Sequence, residues 1–499
     1  MTTSSPFLRR SLLLNGLFVI EGGSNFLLDV ALAAALGVGI RSDSLYAAWT
    51  LPMTLGRGAF QSLTNSFMGL FAESEDDEAS YSYAITVIGL ASFGLALLMS
   101  LTSQWWFPLS VPGAGAETWL EGTPLAAILS WLVALLALAE TQRAIYYRLG
   151  KNAFPSAARV IGVIVSIMFI LVSGREQNIR LIAYGLVCGA GIETLLGFVG
   201  LAAIGQRLRW AWPPTNKLVH MGQVVGLPLI GQLIRIFAGT AERAIASYLG
   251  PGSLTAVSYA NRIISTMERF IFRGFVISTI QSYTARATAN WRRDIRLLLL
   301  ISIPITIILA VLPTPLITIV FERGRFTAES TQLVATTLRF YALAIPVLAF
   351  SRVPNALAYA KTMSRVLLLN SILLSLILVG GEIILILLGI GLPAFGIANV
   401  LALIASAYWF YTKAMDGADT ISWPIDEILR LAASALIALT GTMLIVYIIE
   451  AQTDQLASAA WFTVIIGSIT SLFLTVVAAW VFRLPEANRI ADLLHWLQR

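Results

Sequence analysis

Ten arginines lie inside stretches that are otherwise apolar and long enough to cross a membrane: Arg57, Arg143, Arg159, Arg235, Arg243, Arg262, Arg269, Arg273, Arg339 and Arg352. A guanidinium keeps its proton in any protein environment, so each stays charged wherever the chain carries it. On insertion scales an arginine at a helix centre costs about 2.5–3.5 kcal/mol. A chain that keeps this many is expected to place them in a wet or anionic cavity. The cargo of such a cavity carries negative charge.

Spacing sharpens this. Arg262, Arg269 and Arg273 follow i, i+7, i+11 and share one helix face. Arg235, Glu242 and Arg243 share a broad stripe of an earlier segment. Part of this set is explained by salt bridges. The surplus positive charge fits anion binding, because a guanidinium fork matches phosphate oxygens bidentately. Arg57 lies near mid-span, where reaching the headgroups is awkward. Arg262 is nearer a segment end, so snorkelling and a cavity role both fit it. The intramembrane acids are Glu21, Asp29, Glu140, Glu193 and Glu382. Each is expected to pair with an arginine, Asp29 with Arg57 and Glu140 with Arg143, or to bind a coupling cation or proton.

Other chemistries find no support. The single cysteine, Cys188, excludes an intramolecular disulfide, and His220 and His495 offer no metal-site spacing. There is no Ser/His/Asp set and no lysine-bearing phosphate loop, so no catalysis, no cofactor and no nucleic-acid partner are expected. Membrane potential or an ion gradient remains as the energy source, at about 2.3 kcal/mol per charge per 100 mV.

The elements that must position these residues are membrane helices. The 499-residue chain is 57% hydrophobic and 12% charged, half the charge of a soluble domain. Its mean hydropathy is +0.80. No early cleavage site follows Arg9-Arg10, so no signal peptide is expected. Fourteen segments approach the span length of about 20 residues: 11–36, 44–71, 81–103, 123–147, 153–173, 180–205, 219–248, 254–285, 297–321, 329–359, 365–389, 391–412, 425–449 and 458–482. The second, seventh, eighth and tenth are the least apolar and are expected to face the protein interior.

Loop charge sets the orientation. With the N-terminus cytoplasmic, the inner segments hold Arg9, Arg10, Arg148, Lys151, Arg207, Arg209, Lys217, Arg286, Arg292, Arg293, Arg296, Lys361, Arg365, Lys413, Arg430, Arg483, Arg489 and Arg499. The outer ones hold only Arg41, Arg175, Arg180, Arg323 and Arg325. Both termini are therefore expected inside, despite the acidic run Glu73–Glu78. The longest outer loop, 103–122, carries Trp105, Trp106 and Trp119 and suits an interfacial aromatic belt.

The chain repeats at an offset of 213 residues: Leu36-Gly37-Val38-Gly39 matches Leu249-Gly250-Pro251-Gly252, Tyr46-Ala47 matches Tyr259-Ala260, Asp29 matches Glu242, and Ala33 matches Ala246. Six helices per repeat, an even number, give both halves the same topology. The expected division is an N-lobe over 1–210, a C-lobe over 211–416, and an extra helix pair with an amphipathic tail over 417–499. Ile490, Leu493, Leu494 and Leu497 share one face of that tail.

These residues resemble the MurJ (MviN) lipid II flippases of the MOP exporter superfamily, from about residue 20 to residue 416. Leu36-Gly37-Val38-Gly39-Ile40-Arg41-Ser42-Asp43-Ser44, with Leu51-Pro52, Arg57 and Phe71-Ala72-Glu73, is similar to the family's G-x-G-x-x-[ST]-D, LPN-LLRR and LAE elements. Ala246-Ser247-Tyr248-Leu249 and Ser258-Tyr259-Ala260-Asn261-Arg262 resemble its ASFL and YYADR. Phe321-Glu322-Arg323-Gly324-Arg325-Phe326-Thr327 resembles its FERGxFT. The resemblance implies an all-α fold of about fourteen helices: two six-helix lobes around a cationic cavity, and a last pair grooved for a lipid tail. It implies movement of an undecaprenyl-pyrophosphate-linked peptidoglycan precursor across the bacterial inner membrane by alternating access, by a monomer.

Carried over by motif, Arg57, Asp43 and Arg262 match the family's segment-two arginine, its aspartate after helix one and its YADR arginine. Arg235, Arg269 and Arg273 complete the expected pyrophosphate-binding set, with Asp29, Asp43 and Glu242 as cavity acids or pairing partners. The family's helix-one arginines align with Gly22 and Leu28, the first of its paired helix-two arginines with Gly56, and the glutamate of its AEGAF with Phe60 or Gln61. Positive charge has moved toward the second half. A flippase for O-antigen or exopolysaccharide intermediates is the first alternative, and a non-transporting envelope-synthesis scaffold the second.

Overall fold

In hydrocarbon a backbone must satisfy its own hydrogen bonds, and helices do so within one segment. The computed structural model describes residues 6–60, 77–151, 153–176, 178–268, 291–360, 363–414, 425–452, 457–482 and 484. Among them every regular element is helical, as an all-α polytopic membrane protein requires. Among the described residues, ten helices are long and apolar enough to span a membrane. Four further segments of the sequence reading coincide with the helices Pro6–Leu36, Ile40–Met53 and Thr215–Ala246 and with a helix that starts at 253. The tenth segment, expected among the least apolar, still contains an 18-residue stretch of mean hydropathy 1.8 within Ala328–Asn355.

Several segments are interrupted, for local reasons. Pro313 and Pro315 separate Trp291–Val311 from Pro313–Phe321. Pro346 has no amide to give its upstream turn, and Ala328–Ala342 gives way there to Ala344–Ala360. Ser130 Oγ bonds back to Ala126 O at 2.7 Å, a contact that bends helices. Ala116–Leu129 and Leu132–Arg148 meet at that point. The stretch 103–122, expected as an outer loop, is not a loop. It folds as Ser103–Ser110 and the start of Ala116–Leu129. Trp106 and Trp119 donate their indole N–H to Met99 O and Val111 O at 2.8 and 3.0 Å, so their amphipathic rings satisfy helix ends, and Trp105 alone of the three is strongly exposed.

Two compact units form. One holds 1–255 with Arg323–Thr327; the other holds 256–322 with 328–499. In the first, Tyr81, Ala84, Ala137, Ala144 and Tyr146 make an apolar core. In the second, Leu300, Ile303, Ile307, Ala438 and Ala479 make another. The 213-residue offset reappears in the backbone. Gly37 and Gly250 both take left-handed φ angles, 69° and 98°, and helices restart at Ile40 and at 253. At Gly37 a side chain is excluded as well, because a Cβ would lie 2.4 Å from Arg325 O. The connector 415–424, the tail 485–499 and the Phe71-Ala72-Glu73 element lie outside the described residues.

Candidate functional site

Helix Ile40–Met53 contains Pro52 and runs into a π turn, Thr54–Ala59. A π turn adds a residue to the ordinary hydrogen-bonded loop and re-aims the side chains beyond it. Here it carries Arg57 inward. Beside it, Gly56 is required by close approach: a Cβ would meet Leu132 O at 2.6 Å and Val133 Cα at 2.9 Å. Gly56 thus sits in a backbone-to-backbone contact that admits no side chain.

Arg57 enters a buried set of six ions. Its Nη2 donates to Glu193 Oε2 at 2.5 Å and its Nη1 to Glu140 Oε1 at 3.3 Å. Arg143 donates to both oxygens of Glu21, at 3.3 and 3.2 Å, and its Nε lies 3.5 Å from Glu140 Oε2. Arg159 and Ser156 also donate to Glu21. All six ions are at most 7% exposed. Five segments supply them: Pro6–Leu36, the π turn, Leu132–Arg148, Ala153–Glu176 and Ile179–Ala203. Three guanidinium charges face three carboxylates, so the set is formally neutral. The expected pair of Glu140 with Arg143 forms. The hydrogen-bonded carboxylates of Arg57 are Glu140 and Glu193. Arg57 Nε and Arg159 Nε are buried without a hydrogen-bond partner, so donor capacity remains.

Arg143, Arg159, Glu21, Glu140 and Glu193 are absent from the site expected from motifs. Their signal is present in the sequence as ionisable residues inside apolar segments, each a functional-site candidate by itself. What sequence cannot give is their convergence from five segments.

Asp43 is buried and accepts from Gly252 N at 2.6 Å, Thr255 N at 2.8 Å and the Thr255 hydroxyl. Those amides belong to the first turn of the helix starting at 253, where N–H groups lack partners within the helix and favour a carboxylate. A cavity of about 60 Å³ adjoins Asp43, lined also by Thr118 and Ser247. Asp29 and Glu242, which match at the repeat offset, are both buried. Arg235 is exposed and bonds Gln232 one turn away. Arg243 donates to Gly239 O at 2.6 Å. Arg262 is half-buried and Arg339 exposed. Arg352 pairs with Glu268. Arg269 and Arg273 lie outside the described residues.

Helices of this number, length and hydropathy, with arginines held among carboxylates in their interior, define a polytopic membrane protein. A family model described as lipid II flippase MurJ matches residues 32–466, and the chain belongs to that family. The relative from Vibrio cholerae named probable lipid II flippase MurJ is 24% identical over 384 residues, covering 68% of this chain and 70% of its own. The one so named from Helicobacter pylori is 25% identical over 366 residues, covering 66% and 78%. A solved structure of the lipid II flippase MurJ in an inward closed conformation superposes with a TM-score of 0.79 at 18% identity, over 94% of this chain and 99% of that one. An inward-facing multidrug resistance MATE family transporter of the MOP superfamily gives 0.67 at 14% identity, over 82% and 96%. The fold is therefore the MOP fold.

Proposed function

We propose that this protein is a flippase that carries lipid II, a polyprenyl-diphosphate-linked saccharide, across the bacterial inner membrane by alternating access. The observation that carries the reading is the family match over 32–466. An enzyme is not proposed, because flipping makes and breaks no covalent bond. The diphosphate is the natural target of the arginines, whose forks match its oxygens. Arg235 and Arg262, with Arg269 and Arg273, form the proposed binding set in the second half. Arg57 joins it as a neutralised member: two carboxylates hold it in place, and its Nε keeps a donor in reserve.

The proposed division of labour follows the repeat, with lobes over 1–210 and 211–416 and an added pair over 417–499. The chain acts as a monomer with both termini in the cytoplasm, coupled to membrane potential or an ion gradient. Asp29 and Glu242 are the acids to which a coupling cation or proton is assigned. Asp43 serves as a helix-end acceptor.

A second reading, transport of another lipid-linked glycan, is favoured by one observation. Gly56, Gly22 and Leu28 stand where the family carries arginines, and the backbone contact at Gly56 admits no cation there. Rescue of growth in a strain depleted of its own MurJ separates the two. Rescue supports lipid II. Failure by a protein that is inserted, together with restored surface polysaccharide in a strain lacking its glycan flippase, supports the second.

A further inference from the structure

Between Ile179–Ala203 and Thr215–Ala246 a turn at Gly205 leads into a strap without regular structure over 206–214. Arg207, Arg209 and Trp212 are exposed, while Leu208 packs on the apolar core around Tyr81 and Tyr146. The strap is tied down by two hydroxyls of helix Asp77–Leu101: Ser82 Oγ accepts from Arg209 N and Thr86 Oγ1 from Ala211 N, both at 3.1 Å. Lys217 then sits over the Tyr83 ring, 5.5 Å from its centroid.

Depth and composition decide what such a strap meets. At 1.5 Å rise per residue, Ser82 and Thr86 lie roughly 7 and 14 Å from the start of their helix. Both hydroxyls lie within the membrane-spanning stretch Glu78–Leu101, so a strap tied to them is suited to the headgroup level. Trp210 and Trp212 are 76% and 63% exposed at a depth where indole rings are favoured. Arg148 and Lys151 are exposed nearby, flanking Leu149, which packs on the same core as Leu208. The tying helix opens on Asp77 and Glu78, and among the described residues here the five cations outnumber these two acids.

The geometry points to this strap as a binding site for anionic phospholipid headgroups, with Arg207, Arg209 and Lys217 holding the phosphates and Trp210 and Trp212 seated in the interface. Basic clusters beside a membrane helix recognise such lipids by this chemistry. The site is distinct from the proposed diphosphate-binding arginines, so it stands whether or not lipid II is the cargo.

The test titrates the full chain in detergent with phosphatidylglycerol and phosphatidylcholine and counts bound lipids by native mass spectrometry. The wild type is expected to retain phosphatidylglycerol over phosphatidylcholine. The Arg207→Gln/Arg209→Gln/Lys217→Gln variant is expected to lose that preference, by about fivefold for each cation removed. The Arg207→Lys/Arg209→Lys variant is expected to keep it. If the glutamine variant does not accumulate, Arg207→Gln alone serves, with a single fivefold drop expected. Equal phosphatidylglycerol retention by wild type and variant overturns the proposal. So does a variant that keeps phosphatidylglycerol but loses undecaprenyl diphosphate, which would assign the strap to the cargo.

Discussion

Arg57 Nη2 and Glu193 Oε2 lie 2.5 Å apart in the interior of the first half, on segments separated by 136 residues. Their partners, Glu140, Arg143, Glu21 and Arg159, complete a desolvated and formally neutral set. Such a set adds little net stability over apolar packing, but removing one member strands the others.

Arg57→Ala is accordingly expected to destabilise the protein by about 3–5 kcal/mol, by leaving Glu140 and Glu193 to share Arg143 alone. Arg57→Met/Glu193→Met, which removes opposite charges together, is expected to cost less than the single change. Melting of the detergent-solubilised variants measures both. An alanine variant that melts with the wild type contradicts the ion set.

Gly56→Ala is expected to overpack the contact with Leu132 and Val133, because backbone atoms there cannot step aside. The cost is about 1–3 kcal/mol. Gly58→Ala, whose Cβ would meet nothing nearer than 3.8 Å, serves as the control and is expected to fold normally. Yield of monodisperse protein on size exclusion reads the difference.

Asp43→Ala is expected to free the amides of Gly252 and Thr255, at about 0.5–2 kcal/mol, the usual worth of a helix-end acceptor. Hydrogen–deuterium exchange should rise over the first turn after 252, while the ion set keeps its protection. Unchanged exchange there contradicts the capping role.

Gly37→Ala is expected to cost more than Gly250→Ala. Both would hold alanine at a left-handed φ, a penalty of about 1–2 kcal/mol. Only the Cβ at 37 would also strike a carbonyl oxygen, that of Arg325, whereas at 250 there is open space. Equal melting of the two variants would mean that the Arg325 contact does not form.

Much of the fold is legible in the sequence because hydropathy is a one-dimensional signal. Segment lengths, the repeat offset and the glycine turns at 37 and 250 need only the order of residues. The breaks at Ser130 and Leu343 are not legible, because helix interruptions inside a long apolar run cost no hydropathy. The stretch 103–122 with its tryptophans reads as a loop because short helices there are held by indole-to-carbonyl bonds that no periodicity announces. At the site, arginines are easy to find and hard to place. Arg57 stands out as mid-span and charged. That two glutamates from distant segments neutralise it is a result of packing, which brings positions 57, 140 and 193 together. Arg143 and Arg159 stand out only as charged residues in apolar segments, because none of the motifs quoted above contains them.

The most direct test of the account is translocation by the purified protein alone. Fluorescent lipid II is placed in both leaflets of proteoliposomes, and its accessibility to a membrane-impermeant quencher is followed with time. The account predicts that the protected inner-leaflet fraction becomes quenchable far faster than in protein-free vesicles. It also predicts that Arg262→Gln, still folded and inserted, abolishes the gain. Lipid II that stays protected at the protein-free rate, with the wild-type protein intact in the bilayer, contradicts it.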